Sequence, residues 1–173
     1  MTMAPRLRKF ALTAHVVSSV GLLGAIAGFL ALAVAGLTSQ NDPMVRAAYL
    51  AMDLIARLVI LAFAFASLLT GVIQSVGTPW GLFRHYWVLI KLLLNVFATI
   101  VLLVKMELIA ARLSAEATLS RADLRAAGIQ LVLHASGGLL VLLVPAVLSV
   151  YKPPGMTRYG WRKQHEQRAL SQP

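Results

Sequence analysis

The sequence predicts an all-α fold, a transmembrane four-helix bundle with both termini on the cytoplasmic side. Three observations carry this expectation. Hydrophobic residues make up 59% of the 173 positions and charged residues only 13%, whereas a soluble domain carries about a quarter charged. The mean hydropathy is +0.78. The apolar residues gather into four runs on the scale of the roughly 30 Å hydrocarbon layer, and each run carries a narrow stripe of polar or small residues. The expected spans are about 10–37, 54–75, 83–105 and 126–151, in one domain over 1–151 followed by a basic tail over 152–173.

Charge and cysteine content narrow the partners. A formal charge of +10 beside such spans points to anionic lipid headgroups at the tail and away from nucleic acid. The chain has no cysteine, which excludes disulfides, iron–sulfur ligation and covalent c-type haem attachment. Histidine is then the main candidate metal ligand.

The first span opens behind Arg6, Arg8 and Lys9. This start imitates a secretory signal, and Ala33-Val34-Ala35 imitates its cleavage site. The apolar stretch from Phe10 to Leu37 nevertheless far exceeds the roughly 7–15 residues of a signal's apolar region. An uncleaved span is expected, about 42 Å long and therefore tilted or projecting. Asp42 before Pro43 reads as the N-cap of a second helix that runs to about Ser75. Its early Arg46, Asp53 and Arg57 place its start beyond the outer membrane face.

Gly77-Thr78-Pro79 reads as a break, a cap and a proline opening the third helix, which continues outward through Lys105, Glu107 and Arg112. Ser120 to Asp123 is a capping-box pattern opening the fourth helix. Pro145 predicts a kink there, and Pro153-Pro154-Gly155 ends the helix. Helices two and three thus extend beyond the outer face. With the N-terminus inside, the cytoplasmic segments hold Arg6, Arg8, Lys9, Arg84, Lys152, Arg158, Arg162, Lys163 and Arg168. The outer segments hold Arg46, Lys105, Arg112, Arg121 and Arg125. The asymmetry favours both ends inside, as a multi-pass protein of the cell inner (cytoplasmic) membrane.

At about 100° per residue the polar positions fall into stripes. Arg84, Trp87, Lys91, Asn95, Ala98 and Lys105 share a face of the third helix, and Asp53, Arg57, Ala64, Gly71 and Ser75 a face of the second. On the fourth helix Ala127, Gln130, His134, Gly137, Gly138 and Lys152 align, and on the first His15 lies with Ser18 and Ser19. Lipid rejects such faces, so they are expected to converge on the interior, with His134 and Gln130 as buried polar groups. Gly21, Gly24 and Gly28 lie roughly opposite His15. They serve either close approach of a neighbouring helix, as Gly137 and Gly138 would on the fourth, or contact with a second copy or a membrane partner.

Several candidate sites follow. Arg57 is expected at the outer interface, paired with Asp53 or snorkelling. Lys91 lies about 10 Å beyond Arg84 along the helix. It either snorkels to the headgroups or presents a cation to an anionic group, with Asn95 extending a polar pocket one turn deeper. His15 lies at a matching depth. His134 is deeper, offset from His15 by more than a helical turn, which disfavours a haem ligated by that pair. His85 sits with Tyr86 and Trp87 in an aromatic belt, and His165 lies in the tail. Met44 and Met52 are isolated, an unpromising copper site, and motifs for hydrolysis, phosphate binding or paired carboxylates are absent.

The segments TAHVVSSVG around His15 and IKLLL around Lys91 resemble the four-to-five-span superfamily of HemJ-type protoporphyrinogen oxidases and CopD-like copper-resistance proteins. TPWGLFRHYWVLIKLLL and the YGWRKQ tail are similar to small integral membrane proteins related to that superfamily. In the HemJ-type proteins a first-helix histidine and a third-helix lysine followed by leucines are functional, and haem b is associated. The resemblance implies haem b or a porphyrin in the bundle near the cytoplasmic side, with His15 as axial ligand to the haem iron. Lys91 would be the second ligand or a propionate partner, assisted by Arg84 and Asn95. Whether the chain is an enzyme stays open. One competing reading is a structural or accessory subunit whose polar stripes only lock helix packing. Another is a small-solute transporter, for which the Pro145 region offers the only hint of a broken helix.

Overall fold

The computed structural model describes residues 3–78, 81–114 and 121–170. Its helices are α1 (Pro5–Thr38), α2 (Asp42–Leu54), α3 (Leu61–Val76), α4 (Tyr86–Ser114), α5 (Arg121–Tyr151) and α6 (Arg158–Leu170). A π-helical segment, Ile55–Ile60, joins α2 to α3 without a break. No strand occurs among the described residues; a single bridge pairs His85 with Met156. Among the described residues four helices are long and apolar enough to cross a membrane, within Pro5–Thr38, Asp42–Val76, Tyr86–Val104 and Arg125–Tyr151. This is the make-up of a multi-pass membrane protein.

Local chemistry sets the helix ends. Pro5 opens α1 at a position where its missing N–H costs no hydrogen bond. Asn41, rather than Asp42, caps α2: its side-chain oxygen accepts from the Met44 N–H at 3.3 Å. Asp42 falls one residue later, in the first turn, where a carboxylate meets the positive end of the helix dipole. Arg57, in the π-helical segment, bonds Asp53 near the end of α2 at 2.7 Å; the apolar periodicity gives no hint of that segment. Pro79 and Ser120, read from sequence as opening signals, lie outside the described residues. Helix α4 begins only at Tyr86. Gly81 adopts φ +61°, which ends helical propagation, and bonds from Gly81 N–H to Thr78 and from Arg84 N–H to Gly81 close a turn.

Helix α1 is the central element, packed along α2, α3 and α5, while α4 closes against α3 and α5. The core joins Leu22, Phe29 and Ala33 of α1 to Tyr49, Met52, Ala56, Ile60 and Ala64 of the second rod and to Ala135 and Leu142 of α5. Its alanines let backbones approach closely, which is how helices gain packing energy when lipid is as apolar as the core. Large side chains such as Phe65, Phe97, Leu133 and Leu140 point outward, where acyl chains complete their solvation.

The buried face of α5 differs from the expected one. Gly128, Ala135 and Leu142 face the core, while His134 and Gln130 are exposed. At 100° per residue the core face centres about 90° away from His134 and further still from Gln130. The reason is steric. At Gly128 a Cβ would lie 3.1 Å from Leu37 and 3.3 Å from the Tyr49 hydroxyl, so α5 meets α1 through residues too small to hold it off. His134 satisfies Nδ1 locally, donating to the Gln130 carbonyl at 2.6 Å.

The glycines expected to pack helices also divide differently. A Cβ at Gly24, Gly28, Gly137 or Gly138 would meet nothing within 4 Å, whereas at Gly21 it would lie 2.8 Å from Phe63. Between the spans, close approach therefore falls to Gly21 and Gly128, and to Gly71 against His15. Replacing Gly128 with Val is expected to cost about 1–3 kcal/mol by overpacking. Gly24→Ala should stay within about 0.5 kcal/mol of the parent. Unfolding of both variants in mixed micelles by SDS titration measures the difference.

Candidate functional site

A partly open cavity of about 730 Å³ lies between α1, α3, α4 and α5. It sits at the end of the bundle where α1 begins and α5 finishes: Met3 N–H bonds the Gly77 carbonyl at 3.1 Å, and Lys152, just past α5, is in its wall. The volume is within the roughly 300–1,000 Å³ of sites for drug-sized ligands. Its lining is mostly apolar, with polar groups from every wall: Arg8, His15 and Ser19 of α1, Ser67 and Ser75 of α3, Lys91 and Asn95 of α4, Ser149 of α5, and Lys152.

His15 is fixed by α3. Its Nδ1 lies 3.1 Å from the Ser67 carbonyl oxygen and 3.2 Å from Thr70 Oγ1. The Thr70 hydroxyl donates to the Ala66 carbonyl at 2.6 Å, so toward the imidazole it accepts. Both neighbours of Nδ1 are then acceptors, and Nδ1 carries the hydrogen. Nε2 is left with its lone pair, able to take a proton or a metal. Gly71 makes the approach feasible, since a Cβ there would lie 3.0 Å from His15 Cε1. One turn deeper Ser19 and Ser67 share a hydrogen bond of 2.8 Å.

The cations come from three directions. Lys91 Nζ stands 5.5 Å from the ring centroid of Trp87, one turn earlier on the same helix, a cation–π pair that holds the ammonium against an apolar wall. Lys152 occupies the position after α5 with φ +43°, a left-handed conformation that helix ends usually reserve for glycine and that costs a side-chain-bearing residue about 1 kcal/mol. Arg8 enters from the start of α1. No aspartate or glutamate is among the lining residues.

Of the residues singled out from sequence, His15, Lys91 and Asn95 meet in this cavity. Arg84 does not. It lies in the turn before α4, where its guanidinium donates to Gln167 of α6 at 3.1 Å. His134 and Gln130 lie on the outer surface of α5. Sequence reasoning missed Arg8, although its spacing of seven from His15 puts both on one helical face. It also missed Ser67 and Thr70, whose hydroxyls lie within a turn of Gly71 and offered a signal of their own. Among the described residues no group of three or more histidines or acids could hold a metal by itself. A single imidazole suits instead a cofactor that brings most of its own ligands.

The fold and this cavity define a class: a multi-pass helical membrane protein with a cationic, acid-free pocket near one end of its bundle. Comparison with protein-family models, curated proteins and solved structures finds no match for the chain. The left-handed Lys152 yields a direct expectation. Lys152→Gly should raise stability by about 1 kcal/mol, read as a higher thermal midpoint in detergent, while removing one of the cavity's cations.

Proposed function

We propose that this chain binds haem b or a porphyrin in the cavity between α1, α3, α4 and α5. In this reading His15 Nε2 would ligate the haem iron. The observation that carries it is the fixed tautomer: Nδ1 donates to Ser67 and Thr70, the outer hydrogen bond that orients nearly every metal-ligating histidine and raises its basicity. The cavity fits the rest of such a group. Its apolar lining accepts a macrocycle, and Arg8, Lys91 and Lys152 stand in a lining that includes no acid, a charge balance suited to propionates. Lys91, held over Trp87, is assigned as a propionate partner rather than a second iron ligand. Asn95 supplies a polar contact one turn deeper. Bound haem would supply redox chemistry at iron, while the chain's part is to orient the ring, neutralise its carboxylates and exclude water. With the positive-inside asymmetry the pocket lies on the cytoplasmic side of the inner membrane.

A second reading has its own support. No buried side-chain polar atom lacks a partner among the described residues, and the buried Ser18 and Thr99 donate to carbonyls of their own helices. That is what an accessory subunit needs if its polar residues only lock packing.

Spectra of detergent-purified protein supplemented with haemin separate the two. The expected outcome is a Soret band that His15→Ala abolishes. Thr70→Val, which removes one acceptor from Nδ1, should weaken haem affinity about 10-fold. A preparation that stays colourless after supplementation would sink the haem reading and leave the accessory one.

A further inference from the structure

The basic C-terminal segment is a docked helix. Thr157 fastens it: its N–H donates to the Arg84 carbonyl at 2.9 Å, its hydroxyl donates to the Phe83 carbonyl, and its oxygen accepts from Gly160 N–H at 3.0 Å, capping α6. Tyr86 N–H reaches the Gly155 carbonyl at 3.4 Å, and Arg84 reaches Gln167 at 3.1 Å. Gly160 is buried, and a Cβ there would collide with the Arg84 carbonyl oxygen. The partner surface is the turn over 81–85 that links α3 to α4. Helix α6 therefore sits where α5 has just left its apolar span and α4 is about to enter one.

Its exposed side has a consistent chemistry. Gly160, Gln164 and Gln167 form the docked face, so Arg158 and Arg162 project away from it at 100° per residue. Tyr159 and Trp161 flank that side and are 44% and 54% exposed. Arg162 lies 6.0 Å from the Tyr159 ring centroid, and Trp161 stacks on His165 at 5.8 Å. The same end of the bundle receives Arg6, Arg8 and Lys9 of α1, and Glu166 is the only acid in 1–41, 77–91 and 152–173. Exposed cations interleaved with indole and phenol rings at the level where spans enter a bilayer match an anionic headgroup layer.

We propose that α6, clamped to the 81–85 turn, is a fixed platform for anionic phospholipid headgroups of the leaflet at this end of the bundle. The clamp distinguishes it from a loose basic tail, because it holds Arg158, Arg162 and Lys163 in one register beside the spans. The inference is independent of what fills the cavity.

The test is lipid retention by the full-length protein, purified from micelles containing phosphatidylglycerol and phosphatidylcholine and analysed by native mass spectrometry. Wild type should retain phosphatidylglycerol preferentially, less so as salt rises. Replacing exposed Arg162 and Lys163 by Gln leaves the docked face untouched and should lower retention about fivefold for each cation removed. Gly160→Val keeps every charge but removes the clamp, and should also lower it. Unchanged retention in the double Gln variant would overturn the proposal, as would a loss confined to Lys91→Gln, which would place the anion in the cavity. Full retention in Gly160→Val with loss in the double Gln variant would overturn the fixed platform in favour of a loose basic tail.

Discussion

The bundle depends on a polar seam between α1 and α3. His15 and Ser19 from one helix meet Ser67 and Thr70 from the other, at a depth where water is scarce and an unpaired polar group costs several kcal/mol. Each group in the seam has a partner, and Thr70 is itself bonded back to its own helix. The seam sets rotation as well as distance. Turning α1 by one residue would take His15 out of reach of both acceptors and carry Ser18, now buried, away from its present place. The rotation of α1 in turn decides which of its faces meets α5, and so where the cavity opens.

The four-helix, all-α character was legible because it rests on composition and run length, which tertiary contacts cannot reverse. The rotation of each helix was legible only where a polar group has a polar partner. His15 could be placed inward for that reason, while Lys91 and Asn95 followed from sharing one stripe of α4. His134 could not, because a histidine can satisfy one nitrogen on the preceding turn of its own helix and then tolerate an outward position. The signal on α5 was size: Gly128 and Ala135 face the core because they are small, and a stripe drawn through the polar residues misses them by about a quarter turn. The start of α4 was hidden for a different reason. The Arg84 carbonyl accepts from, and the Tyr86 N–H donates to, a segment about 70 residues later, and no local pattern announces such a partner.

That long-range contact explains the two segments TPWGLFRHYW and YGWRKQ together. Gly81 makes the turn, Arg84 offers its carbonyl to Thr157, and Gly160 gives the space for the two backbones to meet. Glycine is demanded in one segment by a torsion angle and in the other by contact. Neither demand is visible until the segments are paired.

Lys152 links this clamp to the cavity. Its left-handed torsion turns the chain at the end of α5, and the prolines that follow cannot resume a helix, so Met156 and Thr157 are brought against the 81–85 turn. The same torsion leaves the Lys152 side chain in the cavity wall. A glycine would make the turn at lower cost, yet it would remove the ammonium. Lysine here therefore carries about 1 kcal/mol of local strain that glycine would not, and in exchange the turn that clamps α6 and one of the cavity's cations come from a single residue.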